Sequence, residues 1–194
     1  TAYASFGEAQ EAWVDGTTHK TLCMCGEKTL EEQIPCYGGA GTATCISGSI
    51  CEGCGGFYGE TDPAKHAKDS YTNGLRDCCG EYQPAEEIGG VYQIGSAGQL
   101  MWFSQQVNGG QYALNAVLTA DVDMITLPWE AMGRSWETAY TGTFDGEGHV
   151  ISNLSYNAHA DEGMRQSFIY YLGEGGTVKN VTFLNADVFT HGHA

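Results

Sequence analysis

All eight cysteines of this 194-residue chain, Cys23, Cys25, Cys36, Cys45, Cys51, Cys54, Cys78 and Cys79, fall within its first 79 positions. That partition limits what the chain can fold into more than any other feature. The same stretch is rich in glycine and threonine, with turn signals at Asp15-Gly16, Tyr37-Gly38-Gly39, Gly55-Gly56 and Asn73-Gly74 and few long periodic segments. Such a stretch cannot hold itself together by apolar burial and needs cross-links. The composition shift predicts a small Cys-rich module over residues 1–88 and a second domain over 89–194, each near the usual domain scale of roughly 100 residues.

Three cysteine groups end in Cys-Gly: Cys23-Met24-Cys25-Gly26, Cys51-Glu52-Gly53-Cys54-Gly55 and Cys78-Cys79-Gly80. A glycine after a thiolate lets the chain turn tightly enough to aim main-chain N–H groups at the sulfur, which suits tetrahedral zinc. Cys36, Cys45, His19 and His66 are then single ligands available to complete two sites. The competing account is four disulfides and no metal, because an even cysteine count in a loop-rich module outside the cytosol marks an oxidised framework. Cys78 and Cys79 would then pair with different partners, since a ring between neighbours is strained. A thioredoxin-type pair at Cys51 and Cys54 lacks the βαβ surroundings it needs.

Beyond Gly90 the texture changes. In "SAGQLMWFSQQVNGG" Ser96 is followed three residues later by Gln99, a capping-box pattern. Leu100, Phe103 and Val107 then share one helical face, and Asn108-Gly109 ends the element. The rest reads as short strands. Ile151-Ser152-Asn153-Leu154-Ser155-Tyr156 aligns with Val178-Lys179-Asn180-Val181-Thr182-Phe183 at an offset of 27 residues. One alternating strand per repeat is what a solenoid of stacked β coils requires, with the helix as plug for its open end. The expected fold is mainly β: a Cys-rich module followed by a helix-capped, truncated right-handed parallel β-helix, with a β-sandwich as the alternative. Ile151, Leu154, Tyr156, Val178, Val181 and Phe183 are the expected core of the coils.

The formal net charge is −16. It divides as −9 up to Ile88 and −7 after it, so neither half offers a basic face for nucleic acid or an anionic membrane. No apolar run approaches the roughly 20 residues of a membrane span. Thr1 is not an initiator residue, and the strand-like run to Ala194 suggests an excised piece of a longer protein, its last coil open.

Catalysis by a polysaccharide lyase or hydrolase would need a strong base or clustered carboxylates. After Ile88 the basic residues are Arg134, Arg165 and Lys179, isolated in sequence, and Asp121 with Asp123 is the best carboxylate pair. Asp145 sits in an Asp-Gly turn, where a structural role suffices, and His149 and His159 read as solvated loop residues. A non-catalytic binding or structural module is expected. Aromatic rings can stack on sugars or anchor a protein, and Trp129, Trp136 and Tyr140, within "ITLPWEAMGRSWETAY", are the candidate recognition residues. An uncapped coil also predicts copies stacking end to end into a stalk or filament.

From about Val91 to Val188 the run "VYQIGSAGQLMWFSQQVNGG…LTADVDM…YTGTFDGEGHVISNLSYN…LGEGGTVKNVTFLNADV" resembles the GLUG-type repeats of large surface proteins and some IgA peptidases of gut and oral bacteria. Where that family tends to carry a Gly-Leu-Phe-Gly-like tetrapeptide, this chain reads Phe168-Ile169-Tyr170-Tyr171-Leu172-Gly173. The cysteine half resembles zinc-ribbon-like modules of the same proteins in "CMCGEK", "GTATCISGSICEGCGGFYGETDPAKH" and "CCGEY". The resemblance implies a secreted bacterial protein displayed on the cell wall or surface, serving adhesion, display or a structural stalk, with a host glycan or protein as partner. A carbohydrate-binding or carbohydrate-active β-helix is the alternative. Asn153-Leu-Ser and Asn180-Val-Thr match the glycosylation acceptor pattern but read as turn and ladder residues in such repeats.

Overall fold

The structure is a computed structural model and describes residues 10–13, 18–22, 29–125, 127–156 and 167–187. The chain divides into two compact units, one of residues 1–70 with 77–79, the other of 71–76 with 80–194. In the first unit β1 (Gln10–Trp13), β2 (Thr18–Leu22) and β3 (Thr29–Pro35) form an antiparallel sheet in that order. A second antiparallel pair joins β4 (Ser49–Ile50) to β5 (Phe57–Tyr58), with the Cys51-to-Gly56 turn between them.

The second unit begins with the hairpin of β6 (Tyr71–Thr72) and β7 (Leu75–Arg76). Its two-residue loop is Asn73-Gly74, both at positive φ (49° and 74°), the turn this dipeptide favours. The hairpin tip caps the helix. The strands β8 (Glu86–Ile88) and β9 (Val91–Ile94) pair antiparallel, and α1 (Ala97–Asn108) follows. Asn73 accepts hydrogen bonds from Ala97 N (3.2 Å, side chain) and Gly98 N (2.9 Å, main chain), while Ser96 Oγ accepts from Gln99 N (3.4 Å). Gln99 Oε1 reaches back to Gly95 N (2.9 Å). Three otherwise orphaned N–H groups of the first turn are thus satisfied. A Cβ on Gly98 would stand 1.8 Å from Gly74 O, so the close approach requires glycine there.

The expected helical face is the buried one: Leu100, Phe103 and Val107 are fully enclosed. Each contributes roughly 1.5–3 kcal/mol by leaving water. On its polar side, Ser104 Oγ donates to Glu130 O (2.7 Å) and Asn108 Nδ2 to Ala131 O (3.0 Å), while Asn108 Oδ1 accepts from Gly133 N (3.1 Å). These bonds tie the 130–133 segment to the helix.

After α1 the strands come in ordered sets. β10 (Asn115–Leu118), β11 (Val122–Asp123) and β12 (Pro128–Trp129) are followed by β13 (Thr143–Asp145), β14 (Val150–Ser152) and β15 (Ser155–Tyr156), then by β16 (Thr177–Lys179) and β17 (Thr182–Leu184). Each strand pairs in parallel with its counterpart in the next set: β9-β10-β13-β16, β11-β14-β17 and β12-β15. Inward residues form columns, with Tyr92, Ala116, Phe144 and Val178 in one register and Val122, Ile151 and Phe183 in another. Among the described residues the fold is therefore mainly β, with several small sheets and one helix, and no helix is long and apolar enough to cross a membrane.

The 27-residue alignment of the two asparagine segments joins different corners. Asn153 lies between β14 and β15, whereas Asn180 lies between β16 and β17. Partners in the ladder are instead separated by between 24 positions (Tyr92 to Ala116) and 34 positions (Phe144 to Val178). The alignment arose because both corners use the same device. Asn153 (φ 56°) and Asn180 (φ 53°) adopt the left-handed conformation that asparagine tolerates, and each donates to an aspartate of the preceding set: Asn153 to Asp123 (2.8 Å), Asn180 to Asp145 (2.9 Å). The aspartates also close local turns, Asp123 accepting from Ile125 N and Asp145 from Glu147 N, both at 3.1 Å. Residues 80–88 sit in the second unit rather than in a module ending at 88, because β8 takes its ladder from β9.

Two of the aromatics read as recognition residues are core residues. Trp129 is 4% exposed, stacks on Phe168 (5.0 Å, 15°) and donates from Nε1 to Phe168 O (3.1 Å). Tyr140 is fully buried and donates to Leu114 O (2.8 Å), and burial raises its phenol well above the usual range. Both were displaced from the surface by the same columns that enclose Phe103 and Phe144, which lie 6.3 Å apart. Replacing Trp129 with alanine is expected to cost about 3–5 kcal/mol in urea unfolding, against about 0.5 kcal/mol or less for the exposed Trp136.

The corner aspartates give a pH signature. Lys179, the Glu147 N–H and Asn180 hold Asp145 down to about 2. A depressed folded value means that the stabilisation is present above the unfolded carboxyl value of roughly 3.9 and is lost as pH falls towards about 2. Thermal melts should show the midpoint dropping through that window, with a shallower drop in Asp145→Asn.

Candidate metal centre

The first unit gathers its thiols into two groups. Cys45, His66, Cys78 and Cys79 form one, and Cys36, Cys51 and Cys54 the other; in each, the ligand atoms all lie within 4.8 Å of one another. These six cysteines are free thiols, and the clusters could hold metal ions. Cys23 and Cys25, also expected as ligands, lie outside the described residues. His19 is in β2.

Local turns deliver the four-residue cluster. Cys45 follows Thr44, whose N donates to Ser47 O (2.8 Å), and Cys45 N donates to Lys65 O (2.9 Å), which sets Cys45 beside the segment carrying His66. Asp62 N donates to Thr44 O (2.9 Å), closing the same arrangement. Cys78 and Cys79 stand where the chain reverses between Arg76 and Glu81, with Gly80 at φ 73° and Arg76 N donating to Glu81 O (2.8 Å). Cys45 Sγ lies 3.5 Å from Cys78 Sγ, Cys78 Sγ 3.8 Å from Cys79 Sγ, and Cys79 Sγ 3.8 Å from His66 Nδ1. A tetrahedron with metal–sulfur bonds of about 2.3 Å and a metal–nitrogen bond of about 2.0 Å has edges of roughly 3.5–3.8 Å. These three separations are close to those edges and far from the roughly 2.05 Å of a disulfide.

The thiol chemistry of this cluster is asymmetric. Main-chain contact with Ala67 pulls Cys45 down, but burial and the Cys78 and Cys79 sulfurs together hold it above its ordinary value. Burial pushes Cys78 up, and is outweighed by main-chain groups of Lys68 and Ala67 and by the Cys45 and Cys79 thiols, so Cys78 lies below its ordinary value. Of the two, Cys78 is therefore the better thiolate.

The second cluster occupies the turn between β4 and β5. Cys51 N donates to Gly56 O and Gly55 N to Cys51 O, both at 2.9 Å, and Gly55 takes φ 72°, which admits the tight reversal. Glu52 fastens this turn to Cys36's neighbours: its N donates to Tyr37 O (3.0 Å) and its Oε1 accepts from Gly39 N (3.0 Å). Burial raises the Cys51 thiol, yet main-chain donors at Cys54, Tyr37 and Gly53 and the Cys54 thiol outweigh it and bring Cys51 down to about 6. Cys36 is pushed up to about 12 by burial and by Cys51 and Cys54. The glycine after Cys54 was the legible signal for those main-chain donors.

Other candidate residues of the second unit serve the fold or lie at the surface. Asp121 accepts from Val150 N (2.9 Å) and lies 3.2 Å from His149 Nδ1; these contacts lower its carboxyl, the Val150 bond most. Asp123 is engaged by Asn153 and Ile125 N. Trp136 is 75% exposed. Tyr171, another aromatic of this half, meets the indole edge-on at 6.4 Å and 87°.

No protein-family profile matches the chain. No solved structure matches it either. Over 105 residues the chain is 31% identical to halomucin of Haloquadratum walsbyi, a match that takes in 50% of this chain and 1% of halomucin. The chain thus spans about a hundredth of the length of this curated relative.

Proposed function

We propose that the chain is a non-catalytic extracellular module for display, adhesion or stalk formation, built from a zinc-stapled unit and the start of a parallel β-helix. The observation that carries this reading is the parallel pairing of successive strand sets in the second unit. A sandwich pairs its strands antiparallel, so this pairing supports stacked coils over that alternative. Each set of strands is then one coil. At one end α1 and the antiparallel β8 cover the core. At the other, no described strand pairs with the far edges of β16 and β17, and Leu172, Phe183 and Leu184 are 48%, 39% and 53% exposed. Stacking of a further coil, including one from another copy, is the partner that fits such an edge. The likeness of half the chain to halomucin, a protein named as a mucin, supports a place outside the cell. The GLUG-type resemblance points the same way. Against catalysis stand the engaged carboxylates: Asp121, Asp123 and Asp145 each hold a main-chain N–H of the fold.

Light scattering across a concentration series tests the stacking. Mass is expected to rise with concentration, and Phe183→Glu, which puts a charge on the open edge, is expected to abolish the rise. A mass that stays at one chain throughout would remove end-to-end stacking from the reading.

Zinc is the metal that the Cys45, His66, Cys78 and Cys79 separations fit best, with three sulfurs and one imidazole closing a structural site. Bound there it would fasten segments that apolar burial does not hold. Metal analysis and thiol titration of protein purified without chelator or reductant are expected to give bound zinc and eight free thiols after denaturation. Cys45→Ser or Cys79→Ser should each lower the zinc content by about one equivalent and make the first unit lose its fold more readily. Absence of both metal and free thiols would establish the disulfide framework instead.

A further inference from the structure

We infer that the second unit carries a saccharide-binding corner formed by Trp136 and Tyr171, and that its ligand is an uncharged pyranose ring. This deepens the display reading and rests on it only for the extracellular setting. Trp136 is the most exposed of the large apolar side chains among the described residues, at 75%. The surrounding chain gives a physical reason for it to stay there. Trp136 stands within a turn in which Ser135 N donates to Thr138 Oγ1 (2.9 Å) and Thr138 N to Ser135 O (3.2 Å). The turn is short, polar and closed on itself, which fixes the main chain that carries the indole.

The second ring is held as firmly. Tyr170 N donates to Met132 O (2.8 Å), Tyr171 N to Gly133 O (3.0 Å) and Tyr140 N to Tyr171 O (2.9 Å). The two ring-bearing segments are therefore clamped to each other by main-chain bonds, and the 130–133 segment is itself tied to α1. The rings meet at a right angle, 87° with centroids 6.4 Å apart, and Tyr170 buttresses Tyr171 at 5.0 Å. A preformed site of rigid rings loses little conformational entropy on binding.

The geometry suits a sugar. A flat, solitary indole face accepts the axial C–H groups of one pyranose, the edge-on tyrosine limits the ring's slide, and hydroxyls find donors and acceptors close by in sequence. Arg134 and Glu137 flank Trp136 and are exposed, and Glu130 pairs with Arg134. A protein-binding hot spot would sit in a wider apolar patch that excludes water around it. Here Ser135, Glu137 and Thr138 make the neighbourhood of Trp136 polar, and Leu172, beside Tyr171, is the large exposed apolar side chain near the pair. Charge decides the class of sugar: residues 89–194 carry a net −7, so uronate- and sialate-bearing chains are disfavoured.

The test uses the full chain on an array of neutral hexose and N-acetylhexosamine oligosaccharides beside uronate- and sialate-terminated ones. Binding to neutral spots is expected, weakened roughly thirtyfold or more by Trp136→Ala and much less by Trp136→Phe, which keeps a stacking face. Thermal melts of both variants should match the parent protein, because the side chain is exposed. A tryptophan fluorescence shift on titrating the bound oligosaccharide should disappear in Trp136→Ala. A blank array, binding confined to anionic glycans, or neutral binding that Trp136→Ala leaves intact would overturn the proposal. None of these outcomes touches the light-scattering result, so failure here and failure of the stacking reading are separable.

Discussion

A parallel strand of two or three residues cannot be satisfied by its neighbour in sequence. Its N–H and C=O groups must find a ladder on a strand at least a crossover away. In the second unit that partner lies 24 to 34 positions along the chain. Nearly everything else there follows from this requirement. The chain must turn between strands at corners of repeatable shape, the inward residues must stack in columns, and the first strand needs a cover on its free side. The Asp–Asn pairs meet the first demand by linking a turn in one set to a left-handed asparagine in the next. The aromatic columns meet the second, running from Phe103 through Phe144 and Phe168 to Phe183 at centroid distances of 5.0–6.3 Å.

The first unit solves a different problem. Its pairs β4–β5 and the turns around Cys45 and Cys78 are too short to bury much, and Ile46, Ile50 and Phe57 are exposed. Position there is set by turns that converge on sulfur and imidazole. Main-chain donors around Cys51 lower its thiol while Cys36 is raised, an asymmetry expected when several thiols crowd together. A divalent metal would remove that conflict by letting every sulfur ionise. The two units thus differ in build: parallel ladders and stacked columns in one, short antiparallel pairs and tight turns around the cysteine groups in the other.

What was legible in the sequence were local devices. Ser96 with Gln99, the Leu100–Phe103–Val107 face, the Asn73-Gly74 turn and the glycines after Cys54 and Cys79 could be read because each is set by neighbours within four residues. Pairing over distance could not. Cys45 and Cys78 were both candidate ligands, but 33 positions separate them and no local signal says that they meet. The asparagine corners misled for the same reason: a motif shared by different corners marks the kind of turn and carries no record of which set of strands it belongs to. Trp129 and Trp136 stand seven residues apart in one segment and have opposite fates. Trp129 is in β12 and follows the inward alternation of the ladder, whereas Trp136 is in a turn that hydrogen-bonds to itself.

Charge bears on the open edge in a way that composition does not reveal. Both halves of the chain are acidic, so copies approaching end to end repel over a distance set by salt, about 10 Å at 0.1 M and 3 Å at 1 M. The apolar surface at Leu172, Phe183 and Leu184 acts only at contact. Between these ranges lies a preference: dilute salt keeps acidic copies apart, and concentrated salt removes the repulsion while leaving the apolar attraction in place or strengthening it. The proposed stacking of copies would therefore be favoured in concentrated salt and opposed in dilute salt, and Lys179 of the edge strand β16, paired with Asp145, would lower the negative charge at that edge.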